Sequence, residues 1–141
     1  MKIMIDTNVI LDYILDRQPF SHNAGKVLES CVRGEHTGCI LVSAITDIFY
    51  IAEKYMDDLH ILYLLMEDLL ENILLVDLSR KDFMEALEKR EKDFEDCILA
   101  VCAANAGCDL IVTRNPKDFK NAVVTTVTPE QFVLKYLNQK H

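Results

Sequence analysis

The sequence predicts an α/β fold in which a central parallel sheet of about five strands carries helices on both faces. Two features of the pattern lead there. Short, wholly apolar runs alternate with segments whose apolar residues recur at helical spacing, as in a parallel sheet whose strands are buried on both sides. Several of those runs stop at a polar side chain: Ile5 before Asp6, Val76 before Asp77, Val112 before Thr113. In an open α/β sheet, the carboxyl ends of the strands form the rim where ligands bind. A third observation bounds the size. The 141 residues are 50% hydrophobic with mean hydropathy +0.09, enough for one domain with its own core over residues 1–141.

Taken in order, residues 3–5 form the first strand and Asp6 stands at its end. The segment TNVILDYILD then places Val9, Ile10, Tyr13 and Ile14 on one helical stripe. Thr7 and Asn8 occupy the strand-to-helix junction, where polar side chains cap. Asp12 and Asp16 read as solvated-face residues of that helix. Gln18-Pro19-Phe20 breaks it, Ser21 caps a second helix running to about Arg33, and Gly34 closes that one. Residues 37–42 form the second strand. Ser43 opens a helix, SAITDIFYIAEKYM, whose Ile45, Ile48, Phe49, Ile51 and Ala52 face the core, with Asp47 alone among apolar neighbours. A helix over 57–72 carries a broad stripe from Leu59 to Leu70, and residues 73–76 form the third strand, ending in Asp77. Residues 79–92 read as a charged amphipathic helix supported by i,i+4 pairs.

The stretch DFEDCILAVCAANAGCDLIVTRNPKDF, residues 93–119, dominates the rest of the chain. It reads as an acid-led helix, a stop at Gly107, a strand over 110–112 and a polar loop holding Asp118. From 98 to 106 the helix is too uniformly apolar for a surface position. Residues 122–125 form a short last strand, and Thr128-Pro129-Glu130 begins a final helix with its cap and first-turn proline in place.

Fifteen Lys and Arg against 23 Asp and Glu give a formal charge of −8. A protein that held nucleic acid by phosphate neutralisation alone would be basic, so such an activity here needs a cation or a partner to supply positive charge. The five cysteines, at 31, 39, 97, 102 and 108, form no CxxC pair and mostly sit among apolar residues. That is the usage of buried free thiols in a reducing, cytoplasmic compartment. No histidine falls at ligand spacing from a cysteine, which argues against zinc. The start MKIMID is too soon acidic for a signal peptide, and no apolar run approaches the ~20 residues of a membrane span.

Asp6 follows the first strand, Asp47 lies in the early turns after the second, Asp96 begins the helix before the fourth, and Asp118 follows the fourth. With the first strand central and the fourth beside it, all of them face one switch-point crevice. A single Asp at a helix start is usually a cap or a dipole partner. Several together are different, because like charges a few ångströms apart force proton uptake or pairing. A hard divalent cation relieves that repulsion, and oxygen ligands without histidine suit Mg²⁺ or Mn²⁺. Such an ion polarises a phosphoryl oxygen and activates water near neutral pH, the chemistry of phosphodiester hydrolysis.

The motifs IDTNVILD (5–12), SAITDIFYI (43–51), the 93–119 block and the TPEQF start of the final helix resemble those of PIN-domain ribonucleases, near the branch of VapC-like toxins. They span nearly the whole chain in the family's order. DTN after a strand is a weak signal alone; the block ending in TRNPKDF is the specific one. The resemblance implies a single PIN-like domain and a Mg²⁺- or Mn²⁺-dependent endoribonuclease acting on RNA. It further implies the toxin of a type II toxin–antitoxin pair, a homodimer, and a small antitoxin protein as partner.

Carried over by position, the catalytic residues are Asp6, Asp47, Asp96 and Asp118, with Asp6, Asp96 and Asp118 as metal ligands and Thr7, Asn8, Thr113 and Asn115 in support. Arg114 and Lys117 either hold a substrate phosphate or pair with the carboxylates. Asp47 stands where the family more often has a glutamate, so the resemblance gives it an outer role, binding through water or activating it. Asp93, one turn before Asp96, is an alternative or accessory ligand. Two rivals remain. One is a degenerate PIN domain serving as a scaffold. The other is a receiver-type phospho-acceptor using Asp77, which wants a second acid beside Asp6 and leaves Asp96 and Asp118 without a role. The stripe over 59–70 and the final helix over 131–137 are candidate contact surfaces.

Overall fold

The computed structural model describes residues 1–137. Its strands are β1 (Lys2–Ile5), β2 (Thr37–Leu41), β3 (Leu74–Val76), β4 (Leu110–Val112) and β5 (Thr125–Val127). They pair into one sheet of order β3-β2-β1-β4-β5 in which every pairing is parallel. The helices are α1 (Thr7–Ile14), α2 (Ser21–Val32), α3 (Val42–Ala52), α4 (Leu59–Asn72), α5 (Arg80–Lys89), α6 (Phe94–Asn105) and α7 (Pro129–Phe132). A 3-10 turn (Pro116–Phe119) follows β4, and α7 runs on into a π-helical segment (Val133–Leu137).

The two-residue period of the strands sorts the core into two layers. Ile3, Ile5, Ile40, Leu110 and Val112 point to one side, where α1 to α4 and Phe132 cover them. Met4, Cys39, Leu41 and Ile111 point to the other, where Ala86 of α5 and Cys97, Ile98, Val101 and Cys102 of α6 close over them. All five cysteines are free and buried. The chain leaves β1 by way of α1 and α2 and comes back to β4 by way of α5 and α6, so the crossovers lie on opposite faces. Their parting makes the switch point of the sheet, between the carboxyl ends of β1 and β4. Ile5 stands beside Val112 in register there, and the Asp6 N–H donates to the Val112 carbonyl at 3.0 Å. No helix among the described residues is long and apolar enough to cross a membrane.

The α6 helix shows how local sequence sets its limits. The Asp93 side chain accepts from the Asp96 N–H at the start, and Gly107, at φ +74°, turns the chain away at the end as a glycine without a Cβ can. Several boundaries and placements differ from the sequence reading. The last strand is Thr125–Val127, not residues 122–125; its ladder with Leu110–Val112 sets the position, and Val123, for all its β propensity, is 88% exposed. Ser21 is the first residue of α2 and not its cap, its hydroxyl bonding Asp16 Oδ1 at 2.7 Å. The α4 stripe divides, with Leu62, Met66 and Leu69 buried and Leu59 exposed. Asp12 is fully buried instead of solvated.

Candidate active site

Asp6 is the hinge of the site. At the end of β1 its backbone is still extended, and it becomes the N-cap of α1. Oδ1 accepts from the Thr7 N–H at 2.8 Å, and Oδ2 accepts from the Thr113 hydroxyl at 2.8 Å. Thr113 is itself fully buried at the end of β4, and its Oγ1 also accepts from the Asn115 N–H at 3.2 Å. The two elements that meet at the switch point are therefore joined through the Asp6 carboxylate. The Asp6 carboxyl is nevertheless pushed up from its ordinary value. Burial is the chief cause, opposed by the bonds from Thr113 and Thr7 and reinforced by the charges of Asp118 and Asp93.

Asp96 sits in the first turn of α6 and is partly buried. Its carboxyl is pushed up to about 7, first by burial and then by the charges of Asp93, Asp6 and Asp118. Asp118 lies in the 3-10 turn, where its N–H donates to the Asn115 carbonyl at 3.0 Å. The structure thus brings Asp6, Asp93, Asp96 and Asp118 into one electrostatic group. Among the described residues none of the four forms an ion pair. Asp93, considered above as an alternative ligand, is occupied as the N-cap of α6 while still facing the same field.

Two cavities meet at Asp96. The smaller, about 390 Å³, is lined by Asp6, Thr7, Asp47, Tyr50, Glu95 and Asp96 among others. Asp47 is exposed in the second turn of α3 and lines this cavity together with Asp6 and Asp96. Glu95 is a site residue that the sequence pattern did not single out. Its signal was its place in the acidic first turn of α6, beside Asp96. The larger cavity, about 790 Å³, runs from Asp93, Asp96 and Asp118 along α6.

Arg114 is not aimed at these acids. Its Nε lies 2.8 Å from Oδ2 of the buried Asp12, whose Oδ1 is 3.8 Å from Arg17 Nη1. The guanidinium also packs 4.3 Å over the Phe20 ring. Burial pushes the Asp12 carboxyl up, against the charges of Arg114 and Arg17, which hold it down. The Arg114 N–H reaches Asn8 Oδ1 at 3.4 Å. The ion pairing expected for Arg114 therefore goes to Asp12 and not to the carboxylates of the site. Together Asn8 and Asp12 tie the loop after β4, which carries Thr113 and Asp118, to α1. The Asn115 side chain is exposed, and its contribution to the network is through its backbone.

A divalent cation fits this donor set on charge grounds. The acids are all-oxygen donors, they repel one another, and among the described residues no Lys or Arg pairs with them, whereas Asp12 has two arginines. Among the described residues no three acidic, His or Cys side chains already stand together as a ready-made metal site. Asp77, by contrast, follows the edge strand β3, separated from β1 by β2. An acceptor there would stand two strands away from Asp6, outside the switch point, so the receiver reading has no paired acids to work with.

By sequence, a search of curated proteins returned no match. Among solved structures the chain is similar to one in a toxin–antitoxin complex from Klebsiella pneumoniae, at 22% identity and TM-score 0.65 over 90% of this chain and 97% of that one. It is also similar to a chain of VapBC bound to DNA from Salmonella typhimurium, at 16% identity and TM-score 0.68 over 92% and 98% of the two chains. A third likeness is to VapBC2 from Rickettsia felis bound to a DNA fragment from its promoter, at 19% identity and TM-score 0.66 over 91% and 98%. At such identities the likeness is one of fold. The sequence itself matches the PIN domain family over residues 2–117. Because that match takes in well over half of the protein, the chain belongs to the PIN domain family.

Proposed function

We propose that this protein is a Mg²⁺- or Mn²⁺-dependent endoribonuclease that hydrolyses RNA phosphodiester bonds, and that it serves as the toxin of a toxin–antitoxin pair. The observation that carries the nuclease reading is the uncompensated carboxylate group at the switch point, with Asp96 pushed up to about 7 beside Asp6, Asp93 and Asp118. Asp6, Asp96 and Asp118 would hold the cation. When bound, it would polarise a phosphoryl oxygen and bring a water within reach of deprotonation near neutral pH. Thr113 and Thr7 fix both oxygens of Asp6, so that carboxylate is held in one orientation before substrate arrives. Asp47, exposed across the small cavity, would accept the proton of the attacking water, with Glu95 beside it as a longer carboxylate in the same space.

The toxin reading rests on the family and on the likeness to chains solved in toxin–antitoxin complexes. A small antitoxin is the proposed partner, and a homodimer the proposed assembly. The exposed apolar residues Leu59, Ile61, Tyr63 and Leu64 of α4 offer a surface for such contacts. The test of the activity is cleavage of a mixed panel of single-stranded and folded RNAs in Mn²⁺, Mg²⁺ or EDTA, beside Asp6→Asn. Cuts that need the cation and vanish in the variant support the reading. A folded, cation-saturated wild type that cuts no RNA, after removal of any co-purified inhibitor, sinks it in favour of a scaffold.

A further inference from the structure

Asp96 belongs to both cavities, yet the two differ in charge. The smaller one contains Asp6, Asp47, Glu95 and Asp96 and no basic residue. The larger one contains Lys89, Lys92, Lys117 and Lys120. It is a groove. One side of α6 forms its floor, through Asp93, Asp96, Cys97, Ala100, Val101 and Ala104, positions that recur at helical spacing along one face. From Asp93 to Ala104 that floor is roughly 16 Å long at 1.5 Å per residue. Lys89 and Lys92 come from the end of α5 and just past it, Lys117 and Lys120 from in and after the 3-10 turn, and the Asn121 side chain donates to Glu91 between the two segments.

All four lysines are exposed, and among the described residues none of their side chains forms an ion pair. That is unusual company for a chain with a formal charge of −8. The groove's remaining acids beyond the Asp93–Asp96–Asp118 end are Glu85 and Glu91, and both already accept hydrogen bonds, from Asn105 at 3.3 Å and from Asn121 at 3.3 Å. Its apolar floor, with Val123 at the rim, suits sugar and base faces between the phosphates.

We infer that this groove along α6 is the path of a single-stranded RNA, with Lys89, Lys92, Lys117 and Lys120 holding backbone phosphates on the way to the carboxylate group. The lysines give a polyanion counter-charge along this path, whereas the cavity on the α3 side has no basic residue of its own. The strand therefore reaches the acids from the lysine-lined side. The inference rests on the nuclease reading for what happens at the acids, but the binding itself does not depend on cleavage.

The test measures binding and cleavage separately. Anisotropy of a fluorescent single-stranded RNA of about 12 nucleotides is followed over a KCl series in Mg²⁺, using Asp6→Asn chains so that nothing is cut. Two four-lysine variants are compared in that background. One carries Gln at 89, 92, 117 and 120; the control carries Gln at Lys26, Lys54, Lys81 and Lys135, which lie elsewhere. The groove variant should bind at least tenfold more weakly, and its salt dependence should flatten by about 0.7 for each phosphate that is no longer neutralised. The control should stay near the parent. In the cleaving chain, the groove substitutions should raise KM with little change in kcat, because they act away from the reacting phosphate. Unchanged affinity and salt slope in the groove variant, or an equal weakening in the control, overturns the path. Lysine-dependent binding without any cleavage by the wild type keeps the path and refutes the nuclease reading; cleavage with lysine-independent binding does the reverse.

Discussion

Replacing Asp96 with asparagine should make the cation-free protein more stable and its cation site worse. The carboxyl of Asp96 is pushed up to about 7 from 3.8, so above pH 7 the folded chain carries an ionised group that its surroundings disfavour. Taken whole, such a shift corresponds to about 4 kcal/mol. Asp96 keeps some solvent contact, and screening reduces the figure to about 1–2 kcal/mol. The sign follows from linkage. Between pH 4 and 7 the folded state retains a proton that the unfolded chain has released, so stability falls as pH rises through this window and levels off above it. Asparagine removes that penalty. For a chain of this size, Asp96→Asn should raise the EDTA-treated melting temperature by about 3–8 °C at pH 8 and leave it nearly unchanged at pH 4. Mn²⁺ at a hundredfold excess over its Kd should stabilise the wild type by about 2.7 kcal/mol and the variant far less. The assay is thermal unfolding by circular dichroism at both pH values, with and without Mn²⁺. A variant that melts lower than wild type at pH 8 in EDTA, or that gains as much from Mn²⁺, refutes the reasoning.

Other outcomes follow from the same geometry. Asp12→Ala leaves Arg114 facing an empty, buried site; breaking a buried pair costs about 3–5 kcal/mol, and the partial exposure of Arg114 should bring the loss to roughly 2–3 kcal/mol in urea unfolding. Thr113→Val removes the donor to Asp6 Oδ2, and calorimetry should show Mn²⁺ affinity falling about tenfold or more, with the pH for half-maximal binding moving upward. Asp47→Asn should lower kcat on RNA by about 10²–10⁴-fold with Mn²⁺ binding little changed, since Asp47 is not among the acids whose charges act on Asp6 and Asp96.

Much of this was legible in the sequence where local chemistry and position coincide. The run KIMI ending in Asp6, and the acid-led apolar helix ending in Gly107, announce both β1–α1 and α6 because their caps and breakers are written in adjacent residues. Parallel order could be reasoned from alternation, and the neighbouring of β1 and β4 brought Asp6, Asp96 and Asp118 to one rim. What was hidden depends on residues remote in the chain. Asp12 looks solvated on its helix because the arginine that justifies its burial lies about a hundred residues away. Residues 122–125 have the composition of a strand, but pairing to β4 begins only at Thr125. Glu95 was invisible because what makes it interesting is not its own neighbours but the cavity that α6 and α3 enclose.

The proposed activity requires a divalent-cation site at the switch-point carboxylates. The most direct measurement is Mn²⁺ binding followed by electron paramagnetic resonance at pH 8, on the wild type and on Asp6→Asn. Saturable binding by the wild type is expected, weakening as pH falls through about 7 as Asp96 takes up its proton, with loss of that binding in the variant. Binding that is absent in the folded wild type, or that persists unchanged in Asp6→Asn, would contradict the claim.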